Sequence, residues 1–135
     1  NNLSGYPLFP FGYGLSYTNF EYSNMQISKA VINSDESLTV SCNIKNTGKL
    51  TGDEVVQLYL HDELASVVRP VAELKAFERI SLKPDESKTV TFNLNRETFK
   101  MYNRQMQWVT EPGDFRIMLG ASVKDTRLWR MVTVK

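Results

Sequence analysis

Cysteine and histidine are almost absent from this sequence: each occurs once among 135 residues. A single cysteine cannot form an internal disulfide or the cysteine set of a structural zinc site. No apolar run approaches the roughly 18 residues of a membrane-spanning helix, and no glycine-rich phosphate loop is present. The 16 lysines and arginines balance the 15 aspartates and glutamates, whereas nucleic-acid-binding domains carry a basic excess. We therefore expect no metal or other cofactor, no nucleic-acid partner and no membrane partner.

An initiator methionine is also missing. The chain opens with Asn1-Asn2-Leu3-Ser4-Gly5, which has neither the charged nor the apolar region of a signal peptide. The sequence is therefore expected to be a processed chain or a piece of a longer protein. Its length suits one domain, and its 41% apolar and 23% charged residues are typical of a globular one.

Most of the chain shows the two-residue periodicity of half-buried strands. The unbroken alternation around Cys42 places that residue on an apolar face, as a small core residue rather than a reactive thiol. Residues 55–60 are almost continuously apolar and predict a strand covered on both faces. The predicted strands include 38–45, 55–60, 74–82, 90–94, 115–119 and 128–134.

Turn-forming residues separate these segments. Pro84-Asp85 and Pro112-Gly113 are strong turn signals, and Gly120-Ala121-Ser122 and Lys124-Asp125 are expected to break the chain before the last strand. About seven strands separated in this way predict an all-β fold, an antiparallel β-sandwich of immunoglobulin or fibronectin type III kind. Only 96–103 predicts a helical turn.

The first twenty residues differ from the rest. Residues 6–17 contain five aromatic residues together with two prolines and two glycines, which exclude a regular helix or a central strand. So many aromatic side chains are unsuited to a solvated linker, because exposed apolar patches are avoided. We expect an interdomain segment at 1–19, followed by the sandwich at 20–135. The segment is predicted to pack through Phe9, Phe11, Tyr13 and Tyr17, either on this sandwich or, as an interdomain docking segment, on a neighbouring domain.

The carboxylates do not form an evident catalytic pair. Four Asp-Glu dipeptides occur, and each flanks a turn; neighbouring side chains on a strand point to opposite faces, so these dipeptides are interpreted as solvated turn residues. His61 has no nucleophile motif beside it and is interpreted as a surface or interface residue. We therefore predict no catalytic residue in this chain.

The two tryptophans are the remaining candidates for ligand contact. Trp108 and Trp129 are interpreted first as packing residues. As an alternative, exposed indole rings would form a sugar-stacking platform of the kind found in carbohydrate-binding β-sandwiches.

An ordered set of segments carries a family resemblance. Residues 8–18 (LFPFGYGLSYT), followed by Phe20 and Tyr22, resemble the junction that leads into the C-terminal domain of glycoside hydrolase family 3, which contains β-glucosidases and β-xylosidases. The resemblance continues in order through 46–48, 52–60, 69–79, 111–115 and 120–125. One departure is Asp85, which stands where that family commonly has a Pro-Gly turn.

The resemblance implies a three-part retaining β-glycosidase. A (β/α)₈ barrel carries the nucleophilic aspartate, an α/β sandwich commonly carries the acid/base glutamate, and a fibronectin type III-like domain, generally non-catalytic, comes last. No residue here matches either catalytic motif. The implied partners are the upstream catalytic domains of the same polypeptide, the oligosaccharide substrate of the parent enzyme, and a second copy in a homo-oligomer. The implied location is periplasmic or extracellular.

The expected function is thus that of a non-catalytic accessory domain, which stabilises the catalytic domains and contributes to an oligomer interface. Two other classes stay open: a carbohydrate-binding module that uses exposed aromatic residues, and a stand-alone interaction domain. The sequence does not specify the sugar or its linkage.

Overall fold

The computed structural model describes residues 18–33, 35–63, 72–103 and 105–135. In these ranges the chain forms ten strands and one short 3₁₀ helix. The strands are β1 (Phe20–Ile27), β2 (Val31–Ile32), β3 (Ser37–Asn46), β4 (Gly52–Asp62), β5 (Ala72–Leu82), β6 (Ser87–Asn95), β7 (Met101–Tyr102), β8 (Trp108–Val109), β9 (Gly113–Ser122) and β10 (Asp125–Val134). Seven of them have eight to eleven residues and three have only two.

Two sheets enclose one hydrophobic core. The first has the strand order β1-β3-β6, and the second has the order β2-β10-β9-β4-β5. All neighbours are antiparallel except β2 and β10, which run parallel. This arrangement confirms the predicted all-β sandwich. Six of the seven long strands contain the segments predicted from periodicity, and β1 was not among those segments.

The core consists of alternate residues from the long strands of both sheets. Cys42 on β3 is fully buried in it, which confirms its interpretation as a core residue. Burial also raises the pKa of this thiol to about 11, so the reactive thiolate is scarcely populated at neutral pH.

Strand β4 is covered on both faces along its middle, as its continuous apolar run predicted. Every residue from Val55 to Leu60 is buried. Alternate residues such as Leu58 belong to the core cluster, while Gln57 and Tyr59 lie on the opposite face of the sheet. That opposite face is therefore not an ordinary solvated surface.

The predicted helical turn is present but short. A 3₁₀ helix spans Arg96–Phe99, and Asn95 and Thr98 form a capping box at its start. The chain then turns into β7, which pairs with β8. The Phe99 ring lies edge-on to Phe115, with centroids 5.1 Å apart, and anchors the turn in the core.

The expectation that Gly120-Ala121-Ser122 breaks the chain is wrong. Strand β9 continues through Ser122, and only Val123 and Lys124 separate it from β10. A Cβ atom at Gly120 would lie 2.1 Å from the carbonyl oxygen of Asp125. The glycine therefore permits a close approach of two backbones where the ladder shifts register. Among the described residues, no helix is long and apolar enough to cross a bilayer.

Candidate functional site

The predicted docking residues are not among those that the structure describes. Phe9, Phe11, Tyr13 and Tyr17 all fall in 1–17, outside the described ranges. Their proposed contact with a neighbouring domain is therefore neither supported nor opposed by the geometry.

Trp108 lies on an exposed hairpin with a second aromatic residue beside it. Strand pairing brings Tyr102 opposite Trp108, and the ring centroids are 4.9 Å apart at an angle of 52°. Both side chains are about half exposed, at 46% for Trp108 and 58% for Tyr102. The Lys75 ammonium lies 4.8 Å from the indole centroid, held by the carbonyl oxygen of Lys100 at 2.7 Å. One face of the indole is thus in contact with a cation.

Trp129 lies on a different surface, on strand β10 of the five-stranded sheet. It is 52% exposed, and the Arg116 guanidinium lies 4.8 Å from its ring. Glu63 accepts a hydrogen bond from Arg116 at 3.3 Å and contacts Nδ1 of His61 at 2.5 Å. The structure therefore does not join the two tryptophans into one platform, and His61 is a partly exposed residue in contact with Glu63.

Glu54, whose Asp-Glu dipeptide predicted a solvated turn residue, is instead partly buried between the two sheets. The Tyr22 hydroxyl on β1 donates a hydrogen bond to Glu54 on β4 at 2.9 Å. Burial raises the pKa of Glu54, and the negative charge of Asp125 adds to this, while the Tyr22 hydrogen bond and Arg127 oppose it. Burial also raises the pKa of Tyr22 far above its usual range.

Arg127 completes this cluster from strand β10. Its guanidinium makes two hydrogen bonds to Asp125, at 3.0 and 2.9 Å, which hold the pKa of Asp125 below its usual range. The same group lies 4.7 Å from the Tyr22 ring and donates to the carbonyl oxygen of Phe20 at 2.6 Å. The cluster therefore ties the two sheets together at one edge of the sandwich.

The strand periodicity contained the signal for this cluster. Glu54 shares the two-residue register of Val56, Leu58 and Leu60, all of which face the core. A carboxylate in that register is directed toward the sandwich interior, even though it also flanks a turn. Because Glu54 also flanks a turn, its partial burial was not predicted from the sequence.

A raised carboxylate pKa is also a feature of general acids, but the surroundings of Glu54 are those of a structural ion-pair network. The Tyr22 hydroxyl, on a strand of the same sandwich, donates a hydrogen bond to Glu54. Both carboxylate oxygens of Asp125 accept hydrogen bonds from Arg127. One recess of about 600 Å³ lies beside Arg96, away from Glu54. Another of about 400 Å³ runs along 127–131 and adjoins the cluster only at Arg127. Among the described residues, no group of three or more histidine, cysteine or acidic side chains is arranged to hold a metal ion.

Comparison with known proteins identifies the domain type. The family model described as "Fibronectin type III-like domain" matches residues 54–123. This stretch begins at Glu54 in strand β4 and ends in the β9–β10 turn. It therefore spans most of the five-stranded sheet together with β6, β7 and β8.

Relatives extend the match over nearly all of the chain. The β-glucosidase BoGH3A of Bacteroides ovatus is 50% identical over 122 residues, which are 90% of this chain and 16% of that protein. The periplasmic β-glucosidase of Salmonella typhimurium is 48% identical over 114 residues, which are 84% of this chain and 15% of that protein.

A solved structure gives the same result in three dimensions. A mutant β-glucosidase from Listeria innocua, in complex with laminaribiose, superimposes with a TM-score of 0.76 at 46% identity. The match covers 96% of this chain and 18% of the other. The chain thus spans less than a fifth of the length of each of these relatives.

Proposed function

Because the chain belongs to the fibronectin type III-like domain family, in the form found in family 3 β-glucosidases, we propose that it is the non-catalytic accessory domain of such an enzyme. The parent enzyme would hydrolyse terminal β-glycosidic bonds, and this domain would stabilise its catalytic domains. One observation carries the proposal: relatives named as β-glucosidases match 84–90% of this chain with only 15–16% of their own length. Their remaining length provides for catalytic domains.

The proposal extends to the parts of the chain outside the described residues. Residues 1–19 serve as the docking segment, with Phe9, Phe11, Tyr13 and Tyr17 against the catalytic domains, and 20–135 form the sandwich. A contribution to an oligomer interface belongs to the same proposal. A periplasmic or extracellular location is supported by the relative that is named as a periplasmic β-glucosidase.

Two chemical features support the absence of catalysis. Retaining glycosidases need two carboxyl groups that face each other roughly 5–5.5 Å apart across the sugar. Glu54 has the raised pKa of an acid, yet its hydrogen bond to Tyr22 lies between the sheets. Cys42 is buried and protonated, and therefore cannot act as a nucleophile.

The test uses the full polypeptide and the isolated chain with an aryl β-glucoside as substrate. We expect turnover by the full polypeptide and none by the isolated chain. In the full polypeptide, Glu54→Gln should leave kcat/KM within about twofold, because loss of a catalytic acid typically lowers it by roughly 10²–10⁴-fold. Turnover by the isolated chain, or a loss of that size in Glu54→Gln, would contradict the non-catalytic assignment.

Sugar binding by the exposed aromatic hairpin is the second candidate function. This candidate is favoured at Trp108 over Trp129 because the half-exposed Tyr102 and Trp108 rings lie side by side on the hairpin. If it operates, millimolar oligosaccharide shifts the tryptophan fluorescence, Trp108→Ala abolishes the shift, and the matched Trp129→Ala retains it. The absence of any shift would end this second candidate and leave the accessory role in place.

A further inference from the structure

The outer faces of the two sheets have opposite character. On the three-stranded sheet, β3 presents five outward positions from Ser37 to Lys45, and β6 presents five more from Ser87 to Asn95, paired one to one. Nine of these ten residues are serine, threonine or asparagine, and the tenth is Lys45. This surface, termed the polar face, is an ordinary solvated sheet surface.

The outer face of the five-stranded sheet is apolar. Cross-strand partners share a face, and the register aligns Trp129 with Met118, Met118 with Tyr59, and Tyr59 with Leu74. Phe77 lies on the same side, opposite Gln57. These residues form a band, termed the apolar face, that crosses four strands. Trp129, Leu74 and Phe77 are 52%, 49% and 64% exposed, so nothing in the described chain covers them fully.

The apolar face has charged groups at both ends. At one end, Arg116 on β9 pairs with Glu63 and lies against the Trp129 ring. At the other end, Arg79 contacts Asp53 at 2.8 Å. An apolar centre that contains tryptophan, tyrosine and methionine, with arginine and a polar rim, is the composition of a protein interface. The polar face has none of these features, so the two faces are not equivalent surfaces of a free domain.

The dimensions of the apolar face fit a domain interface. Four long strands of ten or eleven residues, at about 3.4 Å per residue and spaced about 4.8 Å apart, give the whole outer surface of the sheet, its charged margins included, roughly 650 Å². Interfaces between domains of one chain bury about 600–1,500 Å². The whole outer surface therefore reaches the lower end of this range.

We propose that the apolar face is the surface on which the catalytic part of the parent polypeptide packs. This inference rests on the proposed accessory function. The occupant is indicated by the length of the relatives: four-fifths or more of each lies outside the region matched by this chain. A folded neighbour of that size is permanently tethered to the sandwich. It removes from water the exposed side chains of the band, Trp129, Leu74 and Phe77, on either side of Tyr59, which is already buried.

The first test is hydroxyl-radical footprinting of the full polypeptide, with each oxidation rate normalised to that of the denatured polypeptide. We expect Phe77 and Trp129 to oxidise several-fold more slowly than the hairpin residues Tyr102 and Trp108, although the four are comparably exposed in this domain. Rates for Phe77 and Trp129 equal to those of the hairpin residues would overturn the inference.

The second test compares two outward strand positions in the full polypeptide. Phe77→Lys should lower the Tm by several degrees. Phe77 is 64% exposed in the domain itself, so its replacement chiefly disturbs the contact with the neighbouring domain that covers it. Thr91→Lys on the polar face is the matched control and should leave the Tm unchanged. Equal Tm values for the two variants would contradict the proposal, and the wild-type footprint decides the case if Phe77→Lys fails to fold.

The outcomes separate this inference from the accessory function. Hydrolysis of the aryl glucoside with an exposed Phe77 overturns the inference and leaves the function standing. Protection of Phe77 without hydrolysis supports the interface and contradicts the function. Protection that disappears when the polypeptide is diluted to a monomer would show that a second copy covers the face, and would also overturn the inference.

Discussion

Asp85 has a backbone conformation that suits glycine better than aspartate. Its φ is 67°, it follows Pro84, and the Glu86 N–H donates to the carbonyl oxygen of Lys83 at 3.0 Å. Proline at the second position and a positive φ at the third are the pattern of a type II turn. The resemblance placed a Pro-Gly turn here, and the geometry explains the preference for glycine at this point.

Replacing this aspartate with glycine should therefore stabilise the domain. We expect Asp85→Gly to raise the free energy of unfolding by about 0.5–1 kcal/mol, because relief of the left-handed conformation outweighs the added entropy of the unfolded chain. Asp85→Ala is the control and should destabilise, since alanine lacks the local polar compensation of aspartate at positive φ. Urea denaturation measures both, and a lower midpoint for the glycine variant would contradict this reading.

At the scale of elements, strand β5 shows how much of the secondary structure the spacing of apolar residues alone can predict. The spacing of Leu74, Phe77 and Ile80 by three residues is also compatible with a helix. A bulge opposite the Leu58–Tyr59 step explains it, because the extra residue Lys75 lets Leu74 and Phe77 share one face despite their odd spacing. Ile80 then faces the core. The turns on either side predicted strand β5. The face of the sheet on which each of its residues lies could be assigned only from the strand register.

Other elements were beyond the reach of a sequence pattern for physical reasons. Strands β2, β7 and β8 have two residues each, which is too short for any periodicity. The separation of Trp108 from Trp129 and the apolar face itself depend on which strands become neighbours. Strand order is fixed by contacts between distant segments, so the sequence predicted the sandwich but not the surfaces that it presents.

At the scale of the whole molecule, the Glu54 cluster links the stability of both sheets to pH. The folded state holds the proton of Glu54 more tightly than the unfolded chain does, since burial raises this pKa. The associated stabilisation is fully present below the ordinary glutamate pKa and is lost as pH rises through the raised value. Protonation of Glu54 therefore favours the folded state.

Glu54→Gln should remove this dependence. We expect the variant and the wild type to have similar Tm values in acid, and the variant to be the more stable at neutral pH, because glutamine still accepts the Tyr22 hydrogen bond without a buried charge. Glu36→Gln is the control of opposite sign: the Asn33 N–H and Lys29 hold the pKa of Glu36 low, so that variant should be less stable than the wild type at neutral pH. Thermal unfolding measured in acid and at neutral pH checks both variants. A lower Tm of Glu54→Gln than of the wild type at neutral pH would refute the raised pKa of Glu54.

The parallel pairing of β2 with β10 has a consequence for how the domain folds. Val31 is aligned with Thr133, and Arg127 reaches back to the carbonyl oxygen of Phe20 across 107 positions of sequence. Such contacts require closure of nearly the whole chain before they contribute, and proteins rich in them fold in milliseconds to seconds rather than microseconds. The apolar band includes Trp129 on β10, so its strands are in place only after the β10 segment has been synthesised and has paired with β9. Formation of this band is therefore a slow step in the folding of the domain.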